Sequence, residues 1–127
     1  MDTKRFLSKN NYLIHTDAVK NYIIPQMNDA EYKEWLIYAD EADLLNMALF
    51  RCTAKQWRNL NPKSAKNSNV RDFATVNELT VLSNLETHNA QMIRDGVGKE
   101  ERFVVLKEIV DYQLAVLNEA DEVKQID

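Results

Sequence analysis

Residues that break helices are almost missing from this chain of 127 residues, which contains two glycines and two prolines. Hydrophobic residues make up 45% of it, which is enough for one domain with a packed core. Because residues typical of turns are so few, there are few places where a helix must end. The sequence therefore predicts an all-α fold of five to six helices, in a single domain that covers residues 1–127.

Capping signals place the helices of the N-terminal half. Thr16 is a candidate N-cap for a first helix that ends at Pro25, because the residue before a proline avoids the helical region. Residues 1–12 are predicted to form a flexible arm. Asn28 and Glu31 have capping-box spacing, which predicts that a second helix begins near Asp29. The acidic run at 40–43 is a weaker start signal, so either two helices or one bent helix leads to Phe50.

The C-terminal half is predicted to hold a short helix and then two long ones. Thr53 and Gln56 have capping-box spacing, which predicts a short helix over 54–60 after a tight corner. Residues 61–70 are predicted to be a basic loop, and residues 118–127 a frayed acidic tail. The long helices have apolar faces and a short connection through Gly96, which predicts an antiparallel hairpin. Those faces contain Leu79, Leu82, Leu85, Met92 and Ile93 in one helix, and Phe103, Leu106, Val110, Leu114 and Leu117 in the other.

Positive charge is concentrated in one segment, although the net charge of the chain is −4. No acidic residue occurs between Asp43 and Asp72, and six of the 16 basic residues lie in that interval. The rest of the chain is strongly acidic. We therefore expect one locally cationic region on an otherwise acidic molecule.

This cationic segment coincides with the tight corner between two helices. A helix, a turn of a few residues and a second capped helix have the spacing of a helix-turn-helix. Gln and Arg side chains can contact base edges, and Lys suits phosphates. The alternative is an ordinary helical corner that Trp57 anchors and whose charges are solvated. The candidate nucleic-acid contacts are Arg51, Lys55, Gln56, Arg58, Lys63, Lys66 and Arg71.

Other kinds of site have little support in the sequence. His15, His88 and Cys52 are far apart and form no zinc-binding spacing, so no metal site is expected. Cys52 is predicted to be a structural cysteine rather than a nucleophile. Neither glycine belongs to a phosphate-binding pattern. We expect no catalytic residues, no cofactor and no small-molecule substrate, and hence no enzyme.

The expected location is the cytoplasm. A single cysteine fits a reducing compartment, and the first residues have no apolar stretch typical of a secretion signal. No apolar run approaches the roughly 20 residues that a membrane helix needs, so no membrane partner is expected.

Several short motifs, in the same order and at similar spacing, resemble the C-terminal helical region of bacterial and phage KilA-N domain proteins. The resemblance covers roughly residues 12–117. Where members of that family tend to have glycine, this chain has Arg51, which indicates a changed turn or an added cation. The loop at 63–69 is also longer. The motifs are 14–18 (IHTDA), 38–50 (YADEADLLNMALF), 53–58 (TAKQWR), 61–62 (NP), 70–75 (VRDFAT) and 82–86 (LSNLE).

The resemblance implies the helical companion region of such proteins and not their DNA-binding part. The KilA-N domain itself lies N-terminal to this region, and nothing in the chain matches it. Two hypotheses follow. The first is a non-enzymatic regulatory or accessory module of a phage-derived protein, which acts through association with another protein or with itself. The alternative is direct binding of nucleic acid through the corner at 53–60 and the basic loop.

Overall fold

Five α-helices make up most of the structure, which is a computed structural model. It describes the backbone of residues 3–27 and 34–126, and the side chains of residues 9–27 and 34–122. No strand occurs within these residues, so the predicted all-α class is confirmed. The helices are α1 (Thr3–Ala18), α2 (Glu34–Phe50), α3 (Ala54–Leu60), α4 (Val76–Arg94) and α5 (Lys99–Ile126). Short 3₁₀ helices at Ser64–Lys66 and Val70–Phe73 lie between α3 and α4.

The N-terminal helix begins earlier than the sequence pattern predicts. Residues 3–12, predicted as a flexible arm, form the first part of α1, and this corrects the prediction. Thr16 does not cap a helix start, because it lies inside α1 and its hydroxyl donates to the Leu13 carbonyl. The chain then continues through a π-helical turn, Val19–Ile23, and a 3₁₀ turn, Ile24–Gln26, that contains Pro25. The predicted helix start at Asp29 lies outside the described residues.

A single helix leads to the corner. α2 runs without interruption through the acidic run at 40–43, which corrects the alternative of two separate helices for the described residues. Its long buried face contains Leu44, Leu45, Ala48 and Leu49, whereas Trp35 near its start is exposed. Burial therefore holds the second half of α2 in place more strongly than its beginning.

Both predicted capping boxes in the C-terminal half are confirmed. The Thr53 hydroxyl accepts from the Gln56 backbone N–H, and the Gln56 side chain accepts from the Thr53 N–H. Thr75 and Glu78 make the same exchange at the start of α4. These reciprocal bonds satisfy backbone donors that a helix start would otherwise leave without partners.

The main apolar core is built by α2, α4 and α5. Val81, Leu82 and Leu85 from α4 meet Leu106 and Val110 from α5 and the buried face of α2. Met92, Phe103, Leu114 and Leu117 pack around this core while partly exposed, and Leu79 is exposed. α1 contributes instead to a smaller cluster of Ala18, Val19, Ile37, Ala90 and Ile93. Among the side chains that the structure describes, those of α1 lie outside the buried part of the three-helix core.

Side-chain hydrogen bonds join the beginning of α4 to the later part of α5, and the middle of α4 to an earlier part of α5. Asn77 donates to Asn118 and Asp121, and Asn84 donates to Gln113. These pairings favour the antiparallel hairpin, which stays a prediction. Gly96 in the connection has φ 79°, a left-handed conformation that suits glycine. α5 continues helically through residues 118–126, where the sequence predicts a frayed tail.

Candidate functional site

The corner between α2 and α3 is a three-residue turn, residues 51–53. Arg51, directly after α2, has φ 62°, so a residue with a side chain occupies a left-handed position that favours glycine. The Asp43 carboxylate lies 3.4 Å from the Ala54 N–H, where it faces the first turn of α3. The turn length agrees with a helix-turn-helix, which is a necessary but not a sufficient condition for one.

α3 lies on the surface of the molecule rather than in its core. None of its residues is buried, and its main neighbours are the two short 3₁₀ helices. The Trp57 ring packs against the Phe73 ring with 5.6 Å between ring centroids. Trp57 therefore anchors the corner, as the alternative interpretation of this region requires.

Six of the seven predicted contact residues lie on the surface. Arg71 is the exception, because it is half-buried and its charge lowers the pKa of His15 and Glu86 in the interior. Gln56 is exposed, but its side-chain oxygen is already bonded to Thr53. The residues that the structure places at the surface are Arg51, Lys55, Gln56, Arg58, Lys63 and Lys66. We call the five cations of this set, together with Leu60 and Phe73, the cationic corner.

Large apolar side chains accompany these cations. Leu60 is 77% exposed and Phe73 is 62% exposed. Val76 and Leu79, at the start of α4, are exposed as well. Among the described residues, the one ion pair within 4.0 Å joins Arg102 and Glu41, far from the corner in sequence. The corner thus combines two features. Its cations have no close carboxylate partner, and apolar surface is exposed beside them.

A second notable feature is a polar cluster buried between four helices. It consists of His15 from α1, Glu41 from α2, Asn89 from α4 and Arg102 from α5, all almost inaccessible to solvent. Arg102 forms a two-point ion pair with Glu41, in which Nη2 lies 3.1 Å from Oε2. Its Nη1 donates to the Asn89 Oδ1 over 2.9 Å, and its Nε donates to the Val97 carbonyl. Every nitrogen of the guanidinium therefore has an acceptor.

Arg102 also determines how the rest of the cluster is protonated. A guanidinium can only donate, so the Asn89 atom beside it must be the oxygen. The Asn89 nitrogen then donates to Glu41 Oε1 over 3.0 Å and to His15 Nε2 over 2.9 Å. His15 must accept this bond, so its Nε2 carries no proton and the ring is neutral.

The pKa values of the cluster agree with this assignment. Burial lowers the pKa of His15 to about 4, and the charges of Arg102 and Arg71 act in the same direction against the attraction of Glu41. Burial alone would raise the pKa of Glu41, but the hydrogen bonds from Arg102 and Asn89 and the charge of Arg102 outweigh it and lower the pKa. The cluster thus holds a neutral histidine beside an ionised pair.

Glu86 is a separate buried carboxyl on α4. Burial raises its pKa to about 7, and the charge of Arg71 reduces this effect. Its position falls between Ser83 and Asn89, which bond to Asn11 and His15 of α1 respectively. Among the described side chains, α1 therefore meets α4 through these polar groups as well as through the apolar cluster of Ala18, Ala90 and Ile93.

A cleft of about 260 Å³ opens beside the cluster. Glu41 and Arg102 line it together with the apolar side chains of Ile37 and Ile93, and the turn at 96–98 borders it. Glu41 and Arg102 neutralise each other, so this ion pair gives the cleft no net charge.

The remaining sequence candidates lie apart from one another. His88 is exposed, His15 belongs to the cluster, and Cys52 is half-buried in the corner turn. No group of three or more His, Cys, Asp or Glu side chains suited to a metal ion occurs within the described residues. Across the same part of the chain, no helix has both the length and the apolar character to cross a bilayer.

The sequence reasoning did not identify the cluster. Its hydrogen-bonded pairs are separated by up to 74 residues, so no local motif connects them. A usable signal does exist: Glu86 and Asn89 lie at helical spacing among Leu82, Leu85 and Ile93, on the apolar face of a predicted amphipathic helix. Polar residues at such positions must find partners inside the protein.

No family model, no curated protein and no solved structure matches this chain. The resemblance to KilA-N domain proteins therefore depends only on the motifs quoted above and stays a prediction.

Proposed function

We propose that the chain is a non-enzymatic binding module that acts by associating with another protein or with a second copy of itself. The observation that carries the proposal is the exposure of large apolar side chains on several elements. Besides Leu60 and Phe73 of the cationic corner, Trp35 and Tyr112 are exposed on α2 and α5. Apolar surface of this kind is typical of sites that a partner covers.

The arrangement of polar groups supports binding rather than catalysis. His15, Glu41, Asn89 and Arg102 are buried and bonded to one another, which suits groups that hold helices together. A catalytic acid, base or nucleophile must instead reach a substrate. The exposed corner offers charge and apolar area, which are the means of recognition.

The resemblance to KilA-N domain proteins supports a regulatory or accessory role in a phage-derived protein of that type. The single cysteine, Cys52, supports a location in the cytoplasm.

Hydrodynamic measurements test the self-association form of this proposal. We expect the weight-average mass in sedimentation equilibrium to rise between about 1 and about 200 µM protein, the range in which moderate interfaces assemble. The variant Leu60→Ser/Phe73→Ser should associate more weakly, because it removes exposed apolar area that an interface would bury. Because Phe73 also packs against Trp57, Leu60→Ser alone, which leaves that contact intact, should weaken association without changing the helical circular dichroism.

The matched control is Leu13→Ser/Ile14→Ser, which removes a similar exposed apolar pair from α1. Weaker association of the control alone would place the interface on α1 rather than at the corner. A wild-type protein that stays monomeric at every concentration would contradict self-association.

Nucleic-acid binding is a second candidate, and the exposure of the corner cations favours it. Their charge would be directed at phosphates, because the Gln56 oxygen is already engaged and base reading would be limited. We expect Lys55→Glu/Arg58→Glu to abolish retention of DNA on a filter at about 50 mM salt. Wild-type retention should fall steeply toward about 200 mM salt as bound counterions compete.

The control for this experiment is Lys9→Glu/Lys20→Glu, which changes the net charge by the same amount on exposed residues outside the corner. Retention equal to that of the wild type is expected. Salt-insensitive retention, or none at low salt, would exclude this candidate.

A further inference from the structure

The outer face of α5 has the charge pattern opposite to that of the corner. From Glu108 to Glu122 the chain contains five acidic residues and no basic one, and all five are exposed. Spacings of three, four and seven residues place six exposed residues on one face of the helix. We call them the acidic stripe: Glu108, Asp111, Tyr112, Ala115, Glu119 and Glu122.

The stripe also resembles the corner in its apolar content. Tyr112 lies among the acidic residues and is 71% exposed, and Ala115 extends the apolar strip. Aromatic side chains surrounded by polar groups are frequent at the centres of interfaces. The corner offers Leu60 and Phe73 as apolar partners and five cations as charge partners.

We propose that the cationic corner of one copy docks on the acidic stripe of another copy. The inference rests on the proposed self-association and names the two surfaces that carry it. Both surfaces are exposed within the single chain, so the corner does not cover the stripe of its own copy. Only another molecule can bring them together, and opposite charges steer and orient such an encounter.

Charge reversal on either surface provides the first half of the test. In Lys55→Glu/Arg58→Glu the corner repels the stripe, and in Glu108→Lys/Asp111→Lys the stripe repels the corner. Each variant alone should associate at least about tenfold more weakly than the wild type, because like charges face each other at the contact. All four positions are exposed, so circular dichroism should stay unchanged.

Mixing the two variants provides the second half. The intact corner of one variant then meets the intact stripe of the other, and the two reversed surfaces also attract each other. We expect an equimolar mixture to regain association, as a complex of the two variants in sedimentation or native mass spectrometry. Lys9→Glu/Lys20→Glu is the control for mixing. When it is mixed with either variant, the association should not exceed that of Lys9→Glu/Lys20→Glu alone.

The outcomes separate this inference from the proposed function. If the wild type associates and the mixture does not recover, the docking is wrong and self-association through other surfaces stands. If both variants associate like the wild type, the same conclusion applies. A monomeric wild type overturns both. Loss of DNA retention without any loss of association in Lys55→Glu/Arg58→Glu would assign the corner to nucleic acid and overturn the docking.

Discussion

Arg51 holds a backbone conformation that costs free energy for any residue with a Cβ atom. Its φ of 62° lies in the left-handed region, where an L-residue is less stable by roughly 1–2 kcal/mol. Glycine removes this cost but loses more entropy on folding, so only part of the difference is recovered. The turn thus combines a geometry that favours glycine with a cationic side chain.

We predict that Arg51→Gly raises the free energy of unfolding by about 0.5–1 kcal/mol, as measured by urea denaturation. Arg51→Ala is the matched control, because it removes the same charge but keeps the strained conformation. The control should not gain stability. An equal gain in both variants would mean that the charge of Arg51, and not its backbone, destabilises the corner.

At the scale of whole helices, the start of a helix was predictable where the residues that cap it are close in sequence. The capping boxes that begin α3 and α4 join residues three apart, so their spacing alone predicts both starts. Asn69 and Asp72 make a third box, which begins only a 3₁₀ turn. Asn69 and Asp72 have the same spacing of three residues, but no apolar periodicity follows them, which agrees with a turn rather than a long helix.

α1 was not predicted over its full length, because two of its inward-facing side chains are polar. Asn11 and His15 face the interior, where their partners Ser83 and Asn89 lie more than 70 residues away. Tyr12, Leu13 and Ile14 are about half exposed, so the apolar pattern points away from the core. Reasoning from hydrophobic periodicity cannot succeed where tertiary hydrogen bonds decide which face is buried.

The candidate surfaces were predictable to the extent that they depend on charge. Six cations without an intervening acid predict a cationic surface region, and the structure exposes all of them except Arg71. Arg71 is instead half-buried, where its charge acts on two buried side chains, His15 and Glu86, which come from two other helices. Such long-range placement is not encoded in local spacing.

For the molecule as a whole, two buried groups make folding depend on pH in opposite directions. His15 has a pKa of about 4 when folded and 6.5 when unfolded, so between these values only the unfolded chain binds the proton. Stability then rises with pH, by up to about 3 kcal/mol over the window. Glu86 has a pKa of about 7 when folded and 4.5 when unfolded, so between these values only the folded chain is protonated. Stability then falls with rising pH by a similar amount.

Because the windows overlap, the two effects largely cancel between about pH 4.5 and 6.5 in the wild type. We predict that Glu86→Gln removes the cancellation: its free energy of unfolding should rise by about 1.4 kcal/mol per pH unit across that window. Above pH 7 it should be more stable than the wild type, since Glu86 must ionise there in a buried position. Urea denaturation followed by circular dichroism at several pH values measures both quantities.

The complementary variant, His15→Gln, keeps a neutral polar side chain and should show the reverse slope, with stability falling between pH 4.5 and 7. The comparison uses slopes, so a constant loss of stability from altered packing does not affect it. A flat profile for Glu86→Gln would contradict the neutral, accepting state of His15 that the orientation of Asn89 requires. Opposite slopes in the two variants would mean that, in this pH window, the folded protein contains a neutral His15 and a protonated Glu86.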